Sequence, residues 1–349
     1  MSHTLRVLLL TALLAGLLVI ARPAAASGAC SALSVDTPAS PDCDAEIAAL
    51  PEPNVTRVQP DWRALEFYTF MRLLNGQDEN APVTVFDGPN GNPIRNIDHG
   101  FNFVTILQQV DDWFEINAGE WVRGADLQAQ QPSIFSGVQI DEQPQYPLAW
   151  IAVNVYSAEV PGGDQIIDVD RLHFRYELHN VYATVNVDGH NWYLIGPDEW
   201  VYHKWVALAQ PVARPEGVSG RWVAVDLYEQ TLMAYEDDRM VFATLISSGL
   251  SGWDTHEGLF NIWARFQSDH MSGAEGASDF YYLENVPYTM YFDGDISLHG
   301  TYWHDGFGYR HSHGCVNLSI TDAHWLFNWT NPEEFREASV YVYYSEAYS

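Results

Sequence analysis

Apolar and polar positions alternate along most of the chain, and the period of that alternation predicts β-structure almost throughout. Val223, Val225 and Leu227 take every second position of residues 221–227, which places them on one face of a half-buried strand. Glu229-Gln230 then marks a turn into residues 231–235, and Asp237-Asp238 a turn into residues 240–246. Together these read as a β-meander. The same alternation recurs at Phe101, Phe103 and Thr105 and at Tyr182, Thr184 and Asn186. Residues 286–292 and 296–299 predict two more strands, and 339–344 a closing strand. Helical spacing is confined to two places. Trp62, Leu65, Phe67, Phe70 and Leu73 suggest a short helix in residues 61–74. Ser319-Ile320-Thr321-Asp322 resembles a capping box opening a helix over 322–329, closed by Asn331-Pro332.

Two segments repeat one another. Residues 112–122 carry Trp113 and Trp121, and residues 191–201 carry Trp192 and Trp200, each pair eight residues apart and each segment ending Glu-Trp-Val. With the alternation before them, they predict two small β-barrel modules, at residues 81–128 and 147–209. Their tryptophans either bind a ligand or simply fill a small core. Gln210–Gly220 is rich in Pro and Gly and reads as a linker to a C-terminal domain at 221–346. Residues 27–80, rich in Ala, Pro, Asp and Ser at their start, read as a tether with that possible helix. The polar, Gly/Ser-rich residues 267–279 suggest a loop or flap. The fold class is mainly β, a C-terminal sandwich or barrel with one short helix behind two small barrels.

Charge and export signals narrow the function. The chain has 349 residues and a formal net charge of −30, from 46 acidic and 16 basic residues. A nucleic-acid partner is excluded, because phosphate backbones need Lys/Arg patches. Arg6, the apolar run from Val7 to Ile20 and Ala24-Ala25-Ala26 form an export-signal pattern over residues 1–26, with no membrane association once it is removed. The protein is therefore expected in the periplasm, the cell wall or outside the cell. Of three cysteines, Cys30 and Cys43 can pair across a short loop in an oxidising compartment. That leaves Cys315 as the odd thiol, which in an exported protein suggests reactivity.

Cys315 stands in the most unusual stretch of the chain, Ser297 to Leu318, reading SLHGTYWHDGFGYRHSHGCVNL. A thiol needs a base to become a nucleophile, and an acyl-transfer site needs backbone donors for an oxyanion. His299, His313 and Gly314 supply those types around Cys315. Zinc would want about four ligands in closed geometry, and His311-Ser312-His313 has a strand-like rather than a ligand-like spacing. The nucleophile reading is favoured over a metal site, and no cofactor is implied.

His299-Gly300, the spacer and Ser312-His313-Gly314-Cys315-Val316-Asn317 resemble the motif of the L,D-transpeptidases of peptidoglycan, over about residues 221–344. The resemblance implies Cys315 as the acylated nucleophile, His299 as base and His313 in support. It also implies Gly314 and Cys315 N–H groups as the oxyanion hole, with Ser312, Asn317 and Gly300 in substrate binding. It implies peptidoglycan stem peptides as partners, release of D-alanine, transfer to an amine, and reactivity towards carbapenems. Water as acceptor would make the same site a carboxypeptidase. A wall-binding protein with a vestigial domain is the reading from another class. Thr255-His256-Glu257-Gly258 departs from the family's Thr-Pro-x-Gly. The two tryptophan modules resemble bacterial Src-homology-3-like barrels, which implies wall binding or positioning.

Overall fold

A computed structural model describes residues 28–331 and 338–346. The export-signal pattern and Pro332 lie outside the described residues. The architecture is mainly β, as the alternation predicts, with strands gathered into several sheets.

Two large sheets form a sandwich around the C-terminal core. In one, the meander strands Arg221–Asp226, Thr231–Glu236 and Arg239–Leu245 run side by side. Ser339–Tyr343 pairs parallel to Arg221–Asp226, and Gly258–Asn261 closes that edge. In the other, Val316–Ser319, Ile296–Thr301 and Tyr281–Asp293 are neighbours. Val223, Val225, Leu232, Ala234 and Phe242 from the first sheet meet Met290, Phe292, Leu298, Val316 and Leu318 from the second, all buried. Helix Ile320–Trp329 packs Ala323 and Leu326 into the same core. Ser319 caps it by accepting from Asp322 N–H at 3.1 Å, as the sequence pattern predicts. The Asp322 carboxylate does not complete a capping box. It accepts from Gly137 N–H at 2.9 Å and Thr244 Oγ1 at 2.6 Å instead.

Both sheets continue into the N-terminal half, so the boundaries drawn at residues 128, 147 and 221 do not separate independent bodies. Val138–Gln139 pairs with Ala243 and Phe242, and Thr56–Arg57 adds a further strand beyond it. Phe101–Ile106 pairs parallel to Tyr281–Asp293, and Thr69–Leu73 and Leu127–Ala129 follow. The expected tether is built structure. Cys30 and Cys43 form a disulfide, helix Pro41–Ala49 is capped by Ser40, and Ile47 is buried with both sulfurs against Tyr182 and Trp200. The helix expected over 61–74 is only Trp62–Leu65, capped by Asp61, followed by strand Thr69–Leu73. Residues 264–293 are a long antiparallel hairpin rather than a flap, its strand Ala264–Gly273 half exposed. That exposure explains why both its faces read as polar.

The repeats share a local fold. Trp113–Asn117 turns into Glu120–Arg123, and His190–Gly196 into Glu199–Tyr202, each followed by a 3-10 turn and another strand. The tight turns place Gly119 (φ 77°) and Asp198 (φ 55°) in the left-handed region. Trp113, Trp121, Trp192 and Trp200 are all buried; Trp192 and Trp200 pack in one core with Tyr182 and Leu194, and Trp113 lies edge-on to Phe86.

Candidate active site

Parallel pairing of Ile296–Thr301 with Val316–Ser319 brings the motif's two halves together, His299 opposite Asn317 and Leu298 opposite Val316. The segment before Val316 is not a strand continuation. It is a tight turn in which Gly314 sits at φ 118°, a conformation that side chains disfavour. Gly314 N–H donates to Ser312 Oγ at 3.1 Å, and Ser312 Oγ donates to the Cys315 carbonyl. Thr255 Oγ1 donates to the Gly314 carbonyl at 2.7 Å and accepts from Gly249 N–H at 3.0 Å. Ser247 and Asn317 exchange two backbone hydrogen bonds of 2.9 Å. The nucleophile turn is therefore pinned from three sides. The turn at 255–258 keeps its hold through Thr255, while His256 turns outward to Asp293 at 2.7 Å.

Cys315 and His299 open onto one cavity of about 540 Å³, together with Ser312, His313 and Asn317. Cys315 is half-buried and free. Burial raises its thiol, while the backbone N–H and hydroxyl of Ser297 favour the thiolate and the Asp295 charge opposes it. Ser297 Oγ lies 3.6 Å from Sγ. His299 is buried, and desolvation pushes its imidazole down to about 4 although the Gly300 carbonyl favours the cation. That carbonyl lies 3.0 Å from Nδ1. A proton held at Nδ1 leaves the Nε2 lone pair as the basic position. Burial thus raises the thiol and lowers the imidazole, and both shifts favour the neutral forms.

The other expected residues divide. His313 is exposed at the rim, its ring 4.2 Å from Trp253 and 5.3 Å from Tyr281, and its imidazole is lowered by burial. Asn317 lines the cavity, but its amide faces His304 Nε2 at 2.9 Å. Gly300 is not among the cavity's lining residues. A Cβ there would meet Pro287 at 2.9 Å and Ala323 at 3.3 Å, so it serves packing rather than substrate binding. Gly314 N–H is spent on Ser312, which removes it from the expected oxyanion hole. Sequence reasoning missed Ser297, although it heads the motif stretch. It also missed the apolar lining from outside that stretch, Phe101, Leu250, Trp253 and Phe280, and within it Trp303, whose ring lies 5.6 Å from that of His299. No local spacing links Phe101, the loop at 250–253 and Phe280.

Residues 220–342 match the family model for the YkuD L,D-transpeptidase catalytic domain. This segment, about a third of the chain, is similar to L,D-transpeptidase catalytic domains. Similar solved structures include an L,D-transpeptidase from Stackebrandtia nassauensis, 29% identical over 37% of this chain and 58% of that one, TM-score 0.30. One from Xylanimonas cellulosilytica is 26% identical over 37% of this chain and 63% of that one, TM-score 0.29. One from Enterococcus faecium is 24% identical over 39% of this chain and 55% of that one, TM-score 0.33. The chain thus spans between 55% and 63% of the length of these three. No curated protein matches the chain. Cys315, His299 and the turn before Cys315 fall inside the matched segment, whereas Phe101 of the cavity lining lies well before it.

Proposed function

We propose that this protein is an exported peptidoglycan L,D-transpeptidase that works through Cys315. The observation carrying the reading is that Cys315 and His299 face one cavity inside the matched segment, with Ser297 donors on the sulfur. His299 Nε2 takes the thiol proton as Sγ attacks the carbonyl of the L-centre residue preceding the terminal D-alanine of a stem tetrapeptide. Because burial favours the neutral form of both groups, the proton moves as the carbon–sulfur bond forms. D-alanine then leaves, its amine taking the proton back from His299, and a thioester remains. An amine of a neighbouring stem attacks that thioester, forms the cross-linking amide and returns the thiol. His313, at the rim, acts on charge or substrate rather than as the base. The disulfide between Cys30 and Cys43 agrees with an oxidising compartment.

Mass spectrometry of the mature protein incubated with a disaccharide tetrapeptide tests this. The expected adduct is the tetrapeptide donor minus D-alanine, on Cys315, followed by cross-linked dimer. Free tripeptide without dimer would make the enzyme a carboxypeptidase. Absence of any adduct would leave a wall-binding role, without help from the buried tryptophans.

A further inference from the structure

Among the described residues outside the cavity, one cluster of ligand-type side chains holds ring nitrogens without hydrogen-bond partners. His173 ends strand Leu172–His173, which pairs with Val155–Tyr156. His179 lies in strand Leu178–Asn180, opposite Ala149. Between them the chain reverses, with Tyr176 in the left-handed region at φ 73°. The reversal gathers His173, Glu177 and His179 so that one donor atom from each lies within 4.8 Å of the others. Glu177 Oε2 is 3.6 Å from His179 Nε2 and 3.9 Å from His173 Nδ1, too far for hydrogen bonds. His173 Nε2 and His179 Nε2 are buried with no hydrogen-bond partner among the described residues, which is unusual for buried polar atoms. The adjacent cation, Arg171, is directed away, donating to the Asp198 carbonyl.

We propose that His173, Glu177 and His179 form a binding site for a divalent transition metal, with zinc as its fitting ion. Zn–N and Zn–O bonds of about 2.0–2.2 Å in tetrahedral geometry put donors roughly 3.3–3.6 Å apart. The 3.6 Å separation at His179 Nε2 already fits, and the 3.9 Å separation at His173 Nδ1 closes onto an ion by a side-chain rotation. The half-exposed Glu177 leaves a fourth position to water. The site reaches the catalytic loop through the residues between its ligands. Tyr176 Oη donates to the Asp305 carbonyl at 2.9 Å, and Arg175 Nη2 donates to the Phe307 carbonyl at 3.2 Å. Asp305 to Phe307 directly follow His304, which meets Asn317 in the active site. A metal that fixes the reversal fixes this clamp.

The test is equilibrium titration of chelator-stripped full-length protein with Zn²⁺ against a chromophoric chelator, and with Co²⁺ read by its d–d absorption. One ion per chain is expected, with tetrahedral cobalt bands, and binding should persist in Cys315→Ser. Glu177→Gln and His179→Gln should each weaken zinc by roughly 100-fold, since losing a direct ligand exceeds losing a group that orients one. Metal-free melting curves check that both variants fold. If His179→Gln fails to fold, the half-exposed Glu177→Gln decides alone. Absence of stoichiometric zinc binding overturns the site. So does unchanged affinity in the folded variants, or loss of binding in Cys315→Ser, which would put the metal at the catalytic thiol.

Discussion

The two sides of the catalytic cavity are built in opposite ways. The sulfur side comes from one short stretch, residues 295–317, and its groups constrain each other. Ser297 aims at Cys315, Ser312 holds the turn, Gly300 fills the strand interior and Gly314 takes the backbone angle the turn requires. The rest of the lining is mostly apolar and is assembled from distant parts: Phe101 from the N-terminal half, Leu250 and Trp253 from a loop, and Phe280 and Tyr281 from the hairpin. The motif side is local in sequence, while the apolar lining depends on long-range sheet pairing.

Four substitutions sharpen or break that contrast. Cys315→Ser should abolish thioester formation, read as loss of the acyl adduct in mass spectra while the far-ultraviolet spectrum stays unchanged. Residual adduct at near wild-type yield would move the nucleophile elsewhere.

His299→Ala should slow acylation by a carbapenem by about 10²–10⁴-fold. The pH profile carries more information than the rate. His299 is basic above about 4, so the wild-type rate should stay level from neutrality down towards pH 5 and fall as protonation sets in below. In the variant the rate should instead rise with pH as the thiol ionises unaided. A wild-type acid limb centred well above 4 would mean a base other than the buried His299.

Phe101→Ala removes apolar area from the cavity lining outside residues 295–317. KM should rise about 10-fold with kcat nearly unchanged, as expected for uniform binding. An equal loss in kcat would show that the apolar lining shapes the transition state, and would erase the contrast.

Asp322→Asn should leave activity alone and alter only the pH dependence of stability. Burial lifts this carboxyl to about 6, so the native state holds its proton more tightly than the unfolded chain. Wild-type stability should therefore fall as pH rises from about 4 to 6, by about 3 kcal/mol at most. Asparagine can accept from Gly137 and donate to Thr244, so urea midpoints of the variant should be flatter over that range.

The same contrast explains what could be read from sequence. His299, Ser312, Gly314 and Cys315 were legible because a turn and two strands bring them together over fewer than twenty positions. The meander, the final strand and the helix cap were legible because their periodicity is local. Residues 28–73 were not, because Pro, Asp and Ser look like a tether until a disulfide, a helix cap and strand pairing at Thr69–Leu73 give them partners. The hairpin strand Ala264–Gly273 was misread as a loop because it lies half exposed and lacks an apolar face. Gly300 and Gly314 were expected beside substrate, yet their demands come from packing and backbone geometry, which a motif does not distinguish from catalysis.

Strand Ser339–Tyr343 lies inside its sheet, between Arg221–Asp226 and Gly258–Asn261. It follows every other strand of that sheet in the sequence, whereas the strand at the far edge, Thr56–Arg57, precedes them all. Without Ser339–Tyr343, Arg221–Asp226 and Gly258–Asn261 lack the strand that joins them, and the core under Val340 and Val342 stays open. A product truncated before Ser339 would therefore expose sheet edges to proteases and holding chaperones.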